Sequence, residues 1–334
     1  MAGQRRYLHF CKAAGIKPLP ASEGALTLFT THLAVSNVSH GTIKVYLSAV
    51  RHLHICKGLH GHFSQQLTPQ LHLILRGIKK RQADVHSRRK RLPITTQLLG
   101  KIRHLLSKQP TYDNTTLWAM CCLAFFGLLR VSEFTIPSKG SYNSSRHLSL
   151  QDVTVDNRTK PRLLQLFLKQ SKTDPFKQGA QVYVGATDTT ICPVKAVLSY
   201  LARRNSHPGP LFITKEGKGW TNSMFRSALQ SLMGKLKLNR HHYNTHSFRI
   251  GAATSASLAN ISDTHIQMLG RWRSNAFQRY IRPPPTEVAK LSKSIATGNL
   301  GISSTTKLHI QFSFVSVYIL WSYPSADFKL YECT

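Results

Sequence analysis

The sequence predicts a mainly α-helical protein with a small antiparallel β-sheet, an α+β fold class. Apolar residues recur at spacings of three and four over long stretches, which is typical of amphipathic helices. Short apolar runs lie close together between residues 148 and 184, and turn-forming residues separate them. The 334 residues are also enough for two domains.

The first 80 residues predict several short helices, because proline, glycine and serine interrupt the apolar pattern. From Thr42 to His54, the apolar positions 43, 46, 47, 50 and 53 share one helix face, with Thr42 as a suitable N-cap. A second helix is expected from about Gln70 to Lys80, where a basic cluster begins. We therefore expect residues 1–87 to form a small all-α domain.

A polar, strongly basic connector over residues 82–93 precedes the second half, and we place the domain boundary at about residue 88. The second domain, residues 88–300, is predicted to carry a few strands between two sets of helices. Helices are expected at about 95–108, 115–129, 193–204, 221–236, 248–258 and 263–269. The expected strands are Leu148–Val155, Leu163–Gln170 and Gln181–Val184. Residues 301–334 form a tail to which the sequence assigns no role.

The most unusual bulk property is the charge. Lys and Arg number 45 against 13 Asp and Glu, which gives a formal net charge of +32 and a pI near 10.4. Such an imbalance is typical of proteins that bind nucleic acid. A membrane-surface protein is the alternative, but it would concentrate its charge on one amphipathic helix, whereas this chain spreads it widely. We expect neither a membrane association nor a small-molecule substrate.

The six cysteines predict a reducing compartment and no metal site. They form no CxxC pair, and no Cys/His grouping has the spacing of a zinc site. The basic run from His86 to Leu92, HSRRKRL, could serve as a nuclear localisation signal. We therefore expect a nuclear protein.

Two short stretches place cationic side chains where an anion could bind. Arg130 interrupts a run that is apolar from residue 120 to 129, so its charge needs a partner. That partner is either an anionic ligand or Glu133, in an ion pair at a helix end. His246 and Arg249 would lie together at the start of a helix, where backbone N–H groups favour anions.

Two further stretches complete the set of candidate residues. Lys172 lies in the turn Ser171–Gly179, whose Asp-Pro and Gly are turn formers, and alone it would pass for a solvated surface lysine. Trp272 and Tyr280 lie among four arginines, at positions 271, 273, 279 and 282. Taken alone, Tyr280 would be a half-buried aromatic residue with a hydrogen-bonded hydroxyl.

Together and in this order, these residues resemble the active-site set of tyrosine recombinases, the phage integrase family. The stretches that carry the resemblance are GLLRVSEF, KQSKTDPFKQG, CPVKAVLSYLARR with GPLF, THSFRIGAAT and LGRWRSNAFQRYIR. They look most like the branch found in eukaryotic mobile elements, the DIRS-type and Crypton elements. TIKVYLSAVRHLH and LILRGIKKR resemble the family's core-binding domain, so the likeness covers about residues 5–295.

The resemblance implies an all-α SAM-like core-binding domain followed by a tyrosine recombinase catalytic domain. It implies that Tyr280 attacks a DNA phosphodiester and forms a 3′-phosphotyrosyl bond, without a cofactor or a metal. Arg130 and Arg249 would hold the non-bridging oxygens, and His246 would add a hydrogen bond. Lys172 would be the general acid, a role for which Lys177 competes. Trp272 would donate its indole N–H, and Glu133 would support the site.

Three functions remain open at this stage. The first is a site-specific recombinase or integrase, derived from a mobile element, that acts as a homotetramer on double-stranded DNA. The second is a domesticated or decayed protein that binds DNA without cutting it, although such a protein has no need of all six candidate residues. The third is a relaxing enzyme with the same chemistry, of the type IB topoisomerase class, which would act as a monomer.

Overall fold

A computed structural model of the chain describes residues 2–59, 69–85, 91–157, 159–172 and 174–297. These residues form a mostly helical structure with one three-stranded antiparallel sheet, which confirms the predicted fold class. The chain divides into two compact units, Met1–Arg89 and Lys90–Thr334. The predicted tail at 301–334 and residues 86–90 of the basic run at 86–92 lie outside the described residues.

The first unit contains four helices in its described part: α1 (Ala2–Ala13), α2 (Glu23–Val35), α3 (His40–Cys56) and α4 (Pro69–Val85). Its core includes Tyr7, Phe29 and Ile43, which are fully buried. The predicted N-cap of α3 was wrong, because Ser39 caps this helix and its hydroxyl accepts the backbone N–H of Thr42. Thr42 therefore lies inside the first turn of α3.

The second unit contains eight described helices. They are α5 (Thr96–Ser107), α6 (Tyr112–Phe126), α7 (Val131–Phe134), α8 (Pro193–Leu201), α9 (Asn222–Lys235), α10 (His246–Leu258), α11 (Asp263–Gly270) and α12 (Pro285–Thr297). Helix α6 is buried on every side from Thr116 to Phe125, which explains why its sequence is apolar without a helical period. The sequence did not predict α12.

The sheet consists of β1 (Val153–Val155), β2 (Leu163–Leu168) and β3 (Ala180–Gly185), paired antiparallel in that order. Strand β2 alternates buried and partly exposed residues, so one face of the sheet packs on the core. Strand β1 is shorter than predicted because residues 150–152 form a 3₁₀ turn, in which Asp152 accepts the backbone N–H of Ser149. The turn between β2 and β3 carries Lys172.

Helix α6 ends three residues earlier than the sequence predicts, and this difference positions the candidate site. Gly127 is its C-cap, and Leu128 adopts a left-handed backbone conformation with φ of 44°. The chain then turns back, so that Arg130 becomes the N-cap residue of α7 instead of continuing α6. If α6 had continued to residue 129, Arg130 would directly follow the end of α6 and would not begin α7.

The described residues contain neither a helix that could span a membrane nor a group of side chains that could hold a metal ion. In the ranges given above, no helix has the length and apolar character needed to cross a membrane. Within those same ranges, no group of three or more His, Cys, Asp or Glu side chains could hold a metal ion.

We predict that Gly251→Ala destabilises the second unit by about 3 kcal/mol, because the added methyl group has no space. A Cβ at Gly251 in α10 would lie 1.8 Å from the carbonyl oxygen of Ile94, which is backbone and cannot rotate away. Urea unfolding followed by tryptophan fluorescence measures this loss, since the described tryptophans, Trp118, Trp220 and Trp272, are buried in this unit.

The matched control is Gly100→Ala in α5. A Cβ at Gly100 meets nothing within 4 Å, so alanine should stabilise the helix by about 0.5–1 kcal/mol. Equal stability of Gly251→Ala and wild type would contradict the close packing of α10 on the backbone at Ile94.

Candidate active site

The turn between α6 and α7 places Arg130 beside a buried carboxylate. Glu133 accepts the backbone N–H of Arg130 at 2.8 Å through Oε2, and Arg130 Nη1 donates to Oε1 at 2.8 Å. The Glu133 side chain is only 1% exposed, whereas Arg130 retains 14% exposure. The ion pair that the sequence offered as an alternative is therefore present. Within the described residues, the remaining N–H groups of the Arg130 guanidinium are still available for a ligand.

Arg249 lies in the first turn of α10 and is 1% exposed. Its Nη1 donates to the carbonyl oxygen of Leu128, and Nη2 donates to that of Gly270 at 3.0 Å. These bonds use two of its five N–H groups. Within the described residues, Nε is buried without a hydrogen-bond partner. Burial, followed by the charge of Arg130, lowers the pKa of Arg249 to about 10.

A third guanidinium joins this cluster, from a residue that we did not single out in the sequence. Arg271 Nη2 donates to Glu133 Oε2 at 2.9 Å, so that Glu133 lies between Arg130 and Arg271. In the sequence, Arg271 is only one of several arginines near Tyr280, and nothing distinguishes it from the others. The signal that could have found it is Glu133, a buried carboxylate with a second acceptor oxygen available.

His246 is the first residue of α10, and its imidazole faces the same region. Its ring centroid lies 6.5 Å from that of Tyr280. Burial, then the charges of Arg91, Arg249, Arg130 and Lys172, lower the pKa of His246 below its usual value. Its backbone N–H donates to the side chain of Asn244 at 2.9 Å. One backbone N–H group at this helix start is therefore already bonded within the chain.

Trp272 and Tyr280 cover the Arg249 guanidinium. The guanidinium carbon lies 4.5 Å from the Trp272 ring centroid and 5.7 Å from that of Tyr280. The two aromatic rings are 5.1 Å apart, and Tyr280 is half-buried at the end of a 3₁₀ segment, Asn275–Tyr280. A Cβ at Gly270 would lie 1.7 Å from the Trp272 ring, so glycine is required for this packing.

Lys172 lies on the β2–β3 turn and is exposed. Asp174 shapes this turn by accepting the backbone N–H groups of Gln178 and Gly179 at 3.1 and 2.8 Å. These bonds, with the charge of Arg273, lower the pKa of Asp174. Since Lys172 also contributes to the lowered pKa of His246, the turn lies within electrostatic range of the cluster. Among the described residues, no hydrogen bond joins Lys172 to Tyr280.

The arrangement suits a phosphate diester better than it suits an internal ion-pair network. Arg130 and Arg271 both contact the single carboxylate of Glu133, and Arg249 shares the Leu128 carbonyl with Arg271, so two of the three positive charges stay uncompensated within this cluster. Arginine presents paired donors that match two oxygens of one phosphate. A phenol lies against the same guanidinium. The cluster can therefore hold an anion next to a nucleophilic oxygen.

The known proteins that are similar to this chain include recombinases and integrases. No protein-family model matches the chain. A curated relative, the integrase/recombinase XerD homolog of Selenomonas ruminantium, is 24% identical over 280 residues, which are 81% of this chain and 76% of the relative.

Two solved structures share the fold at low sequence identity. The Tn1549 transposon integrase, in complex with transposon right end DNA, matches with a TM-score of 0.56 and 12% identity, over 89% of this chain and 93% of that one. The XerH site-specific recombinase, in a post-cleavage complex with palindromic difH substrate, matches with a TM-score of 0.54 and 14% identity. The match covers 83% of this chain and 70% of that one. The fold is therefore that of tyrosine recombinases. Together with the XerD homolog, it supports the tyrosine recombinase and integrase family.

We predict that His246 titrates below pH 6.5 and that Lys172→Met moves its midpoint upward, because the lysine charge disfavours protonation of the imidazole. NMR titration of the His246 ring protons measures the midpoint. Since the folded pKa lies below the unfolded one, the contribution of His246 to stability is present above pH 6.5. It is lost as the pH falls towards the folded pKa.

The matched control is Lys177→Met on the same turn, which removes an equal charge at another exposed position. Only the Lys172 variant should shift the midpoint. An equal shift in both variants would mean that neither lysine is preferentially placed towards His246.

Proposed function

We propose that this chain is a site-specific DNA recombinase that cleaves and rejoins strands through a 3′-phosphotyrosyl intermediate at Tyr280. The observation that carries the proposal is the position of the Tyr280 ring, 5.7 Å from a buried arginine and in contact with Trp272. Further support comes from the two structural neighbours, a site-specific recombinase and a transposon integrase, both in complex with DNA. Double-stranded DNA is accordingly the proposed substrate.

The proposed reaction is a phosphoryl transfer that conserves the bond energy. The Tyr280 oxygen attacks the phosphorus, the bond to the 5′-oxygen breaks, and the 3′-phosphate becomes attached to tyrosine. A second 5′-hydroxyl reverses the step, so rejoining needs no ATP. A tyrosine with an ordinary pKa of about 10 is a weak nucleophile at neutral pH, so it requires a strongly positive environment and a proton acceptor.

Each residue of the cluster has its own role in the proposed reaction. Arg130 and Arg249 hold the non-bridging oxygens and stabilise the charge that develops on them. His246, whose lowered pKa favours the neutral imidazole, hydrogen-bonds the phosphate and accepts the phenolic proton. Lys172 protonates the leaving 5′-oxygen. Trp272 packs over Arg249 and donates its indole N–H to the phosphate.

The wider assignment is part of the same proposal. Residues 1–87 would bind the core of the DNA site and residues 88–300 would carry the chemistry. The homotetramer, the origin in a DIRS-type or Crypton mobile element, and the nuclear location rest on the sequence resemblance and the basic run at 86–92. The alternative is a domesticated DNA-binding protein without cleavage activity.

We predict that Tyr280→Phe abolishes the covalent protein–DNA adduct while leaving DNA affinity within about threefold of wild type, because only the nucleophilic oxygen is lost. The probe is a pool of nicked duplexes with randomised flanks, in which the cleaved end diffuses away and traps the adduct. Denaturing gel electrophoresis then counts adducts.

Tyr183→Phe is the matched control, since Tyr183 is an exposed tyrosine on β3 whose hydroxyl we assign no role. It should form the adduct at the wild-type level. An adduct that persists in Tyr280→Phe would place the nucleophile elsewhere. A wild-type protein that binds the pool and never forms an adduct would favour the domesticated binder, and relaxation of supercoiled DNA by monomers would favour a topoisomerase.

We also predict that affinity for a duplex of arbitrary sequence falls steeply with salt. A protein that neutralises six to ten phosphates loses about 10³–10⁵ in affinity between 50 and 200 mM salt, since bound counterions are released. Fluorescence anisotropy at several salt concentrations measures the slope. A nearly flat salt dependence would contradict an electrostatic interface for a protein with a net charge of +32.

A further inference from the structure

Arg271 occupies an unusual backbone position at the end of α11. It has φ of 53° and ψ of 45°, the left-handed conformation that usually belongs to glycine at this point of a helix. A non-glycine residue there is less favourable by about 1 kcal/mol. The conformation reverses the chain between Gly270 and Trp272. As a result, the Arg271 side chain reaches the α6–α7 turn while the Trp272 ring covers Arg249.

The guanidinium of Arg271 connects α11 to the turn that precedes Arg130. Nη1 donates to the carbonyl oxygen of Gly127 at 3.2 Å, and Nη2 donates to that of Leu128 at 3.4 Å and to Glu133 at 2.9 Å. Arg249 donates to the same Leu128 carbonyl. The left-handed Leu128 turn is therefore held by two arginines from distant parts of the chain.

Charge and burial show that this arrangement is more than a surface ion pair. Arg271 is 14% exposed and Glu133 is 1% exposed. Within the described residues, the Nε atoms of both Arg271 and Arg249 are buried without a hydrogen-bond partner. Burying a third guanidinium beside Arg130 and Arg249 is costly unless it stabilises a particular geometry. The geometry that it stabilises is the α6–α7 turn.

We infer that Arg271 is a positioning residue that holds Arg130 in place for the scissile phosphate, acting through Glu133 and the carbonyls of the turn. This inference rests on the proposed function and extends it by a residue to which the resemblance assigns no role. Arg271 itself does not touch the phosphate. It satisfies the second oxygen of Glu133, so that this carboxylate stays fixed and Arg130 keeps one rotamer.

The experiment is a double-mutant cycle on single-turnover cleavage, with a nicked duplex recovered from the adduct-forming pool. Arg271→Met removes the donors and keeps the aliphatic stem. It should slow cleavage about 100-fold, as expected when a catalytic group is misplaced, with DNA affinity changed less than about threefold. In an Arg130→Ala background the same substitution should have little further effect, because the residue it positions is absent.

Two further variants distinguish the effect of the shape of the Arg271 guanidinium on the cleavage rate from the effect of its charge. Arg271→Lys keeps the charge but lacks the planar fork that reaches Glu133 and two carbonyls together, so it should recover only part of the rate. Arg226→Ala, at an exposed position on α9, removes one positive charge and should cleave at the wild-type rate. Full recovery by lysine, or equal losses of rate with and without Arg130, would overturn the positioning role.

A second measurement requires neither cleavage nor a known site. In ¹⁵N NMR spectra of the free protein, the Arg130 Nε–Hε group should give an ordered, slowly exchanging signal that broadens or disappears in Arg271→Met and persists in Arg226→Ala. An unchanged Arg130 signal in folded Arg271→Met would contradict the inference. If the wild type forms no adduct but the Arg130 signal does depend on Arg271, the proposed function fails while the positioning by Arg271 stands.

Discussion

The Glu133 carboxylate is the group on which the candidate site depends. It is buried at the start of α7, and three N–H donors reach it: the backbone and side chain of Arg130, and the side chain of Arg271. Guanidinium groups at such short range repel one another strongly in a poorly hydrated interior. A single carboxylate between two of them offsets that repulsion. Removal of one partner from a buried pair usually costs about 3–5 kcal/mol, because the other charge stays buried.

Glu133 compensates only part of the positive charge in this cluster, and the remaining charge favours the binding of an anion. Two positive charges remain in the group of Arg130, Arg249 and Arg271 after Glu133 is counted. The lowered pKa values of Arg249 and His246 both reflect burial and neighbouring positive charge. An anion that entered would relieve the unfavourable electrostatic energy of the empty cluster. The same donors would already be oriented when charge develops on a reacting phosphate, which is how preorganised sites stabilise transition states.

Local sequence pattern was sufficient to predict most of the helices and strands. The helical period over Thr42–His54 and the turn formers at 171–179 encode their structures within a few residues, so the helix α3 and the β2–β3 hairpin were predicted. The end of α6 was not. Its termination depends on Leu128 adopting a left-handed conformation, and the bonds that hold Leu128 come from Arg249 and Arg271, more than a hundred positions away. Local propensity contains no information about such bonds.

The charge excess and the mainly helical fold with a small sheet follow from the sequence alone, because they depend on residue types and short spacings. The candidate roles of the six side chains are what the resemblance to tyrosine recombinases implies. Only the tertiary structure decided that Arg271 shares Glu133 with Arg130, that Gly251 admits the Ile94 carbonyl, and that Trp272 lies on Arg249. Residues 133 and 271 are separated by 138 positions along the chain. Their contact exists because the packed core brings α7 and α11 together, and no local preference of either segment requires it.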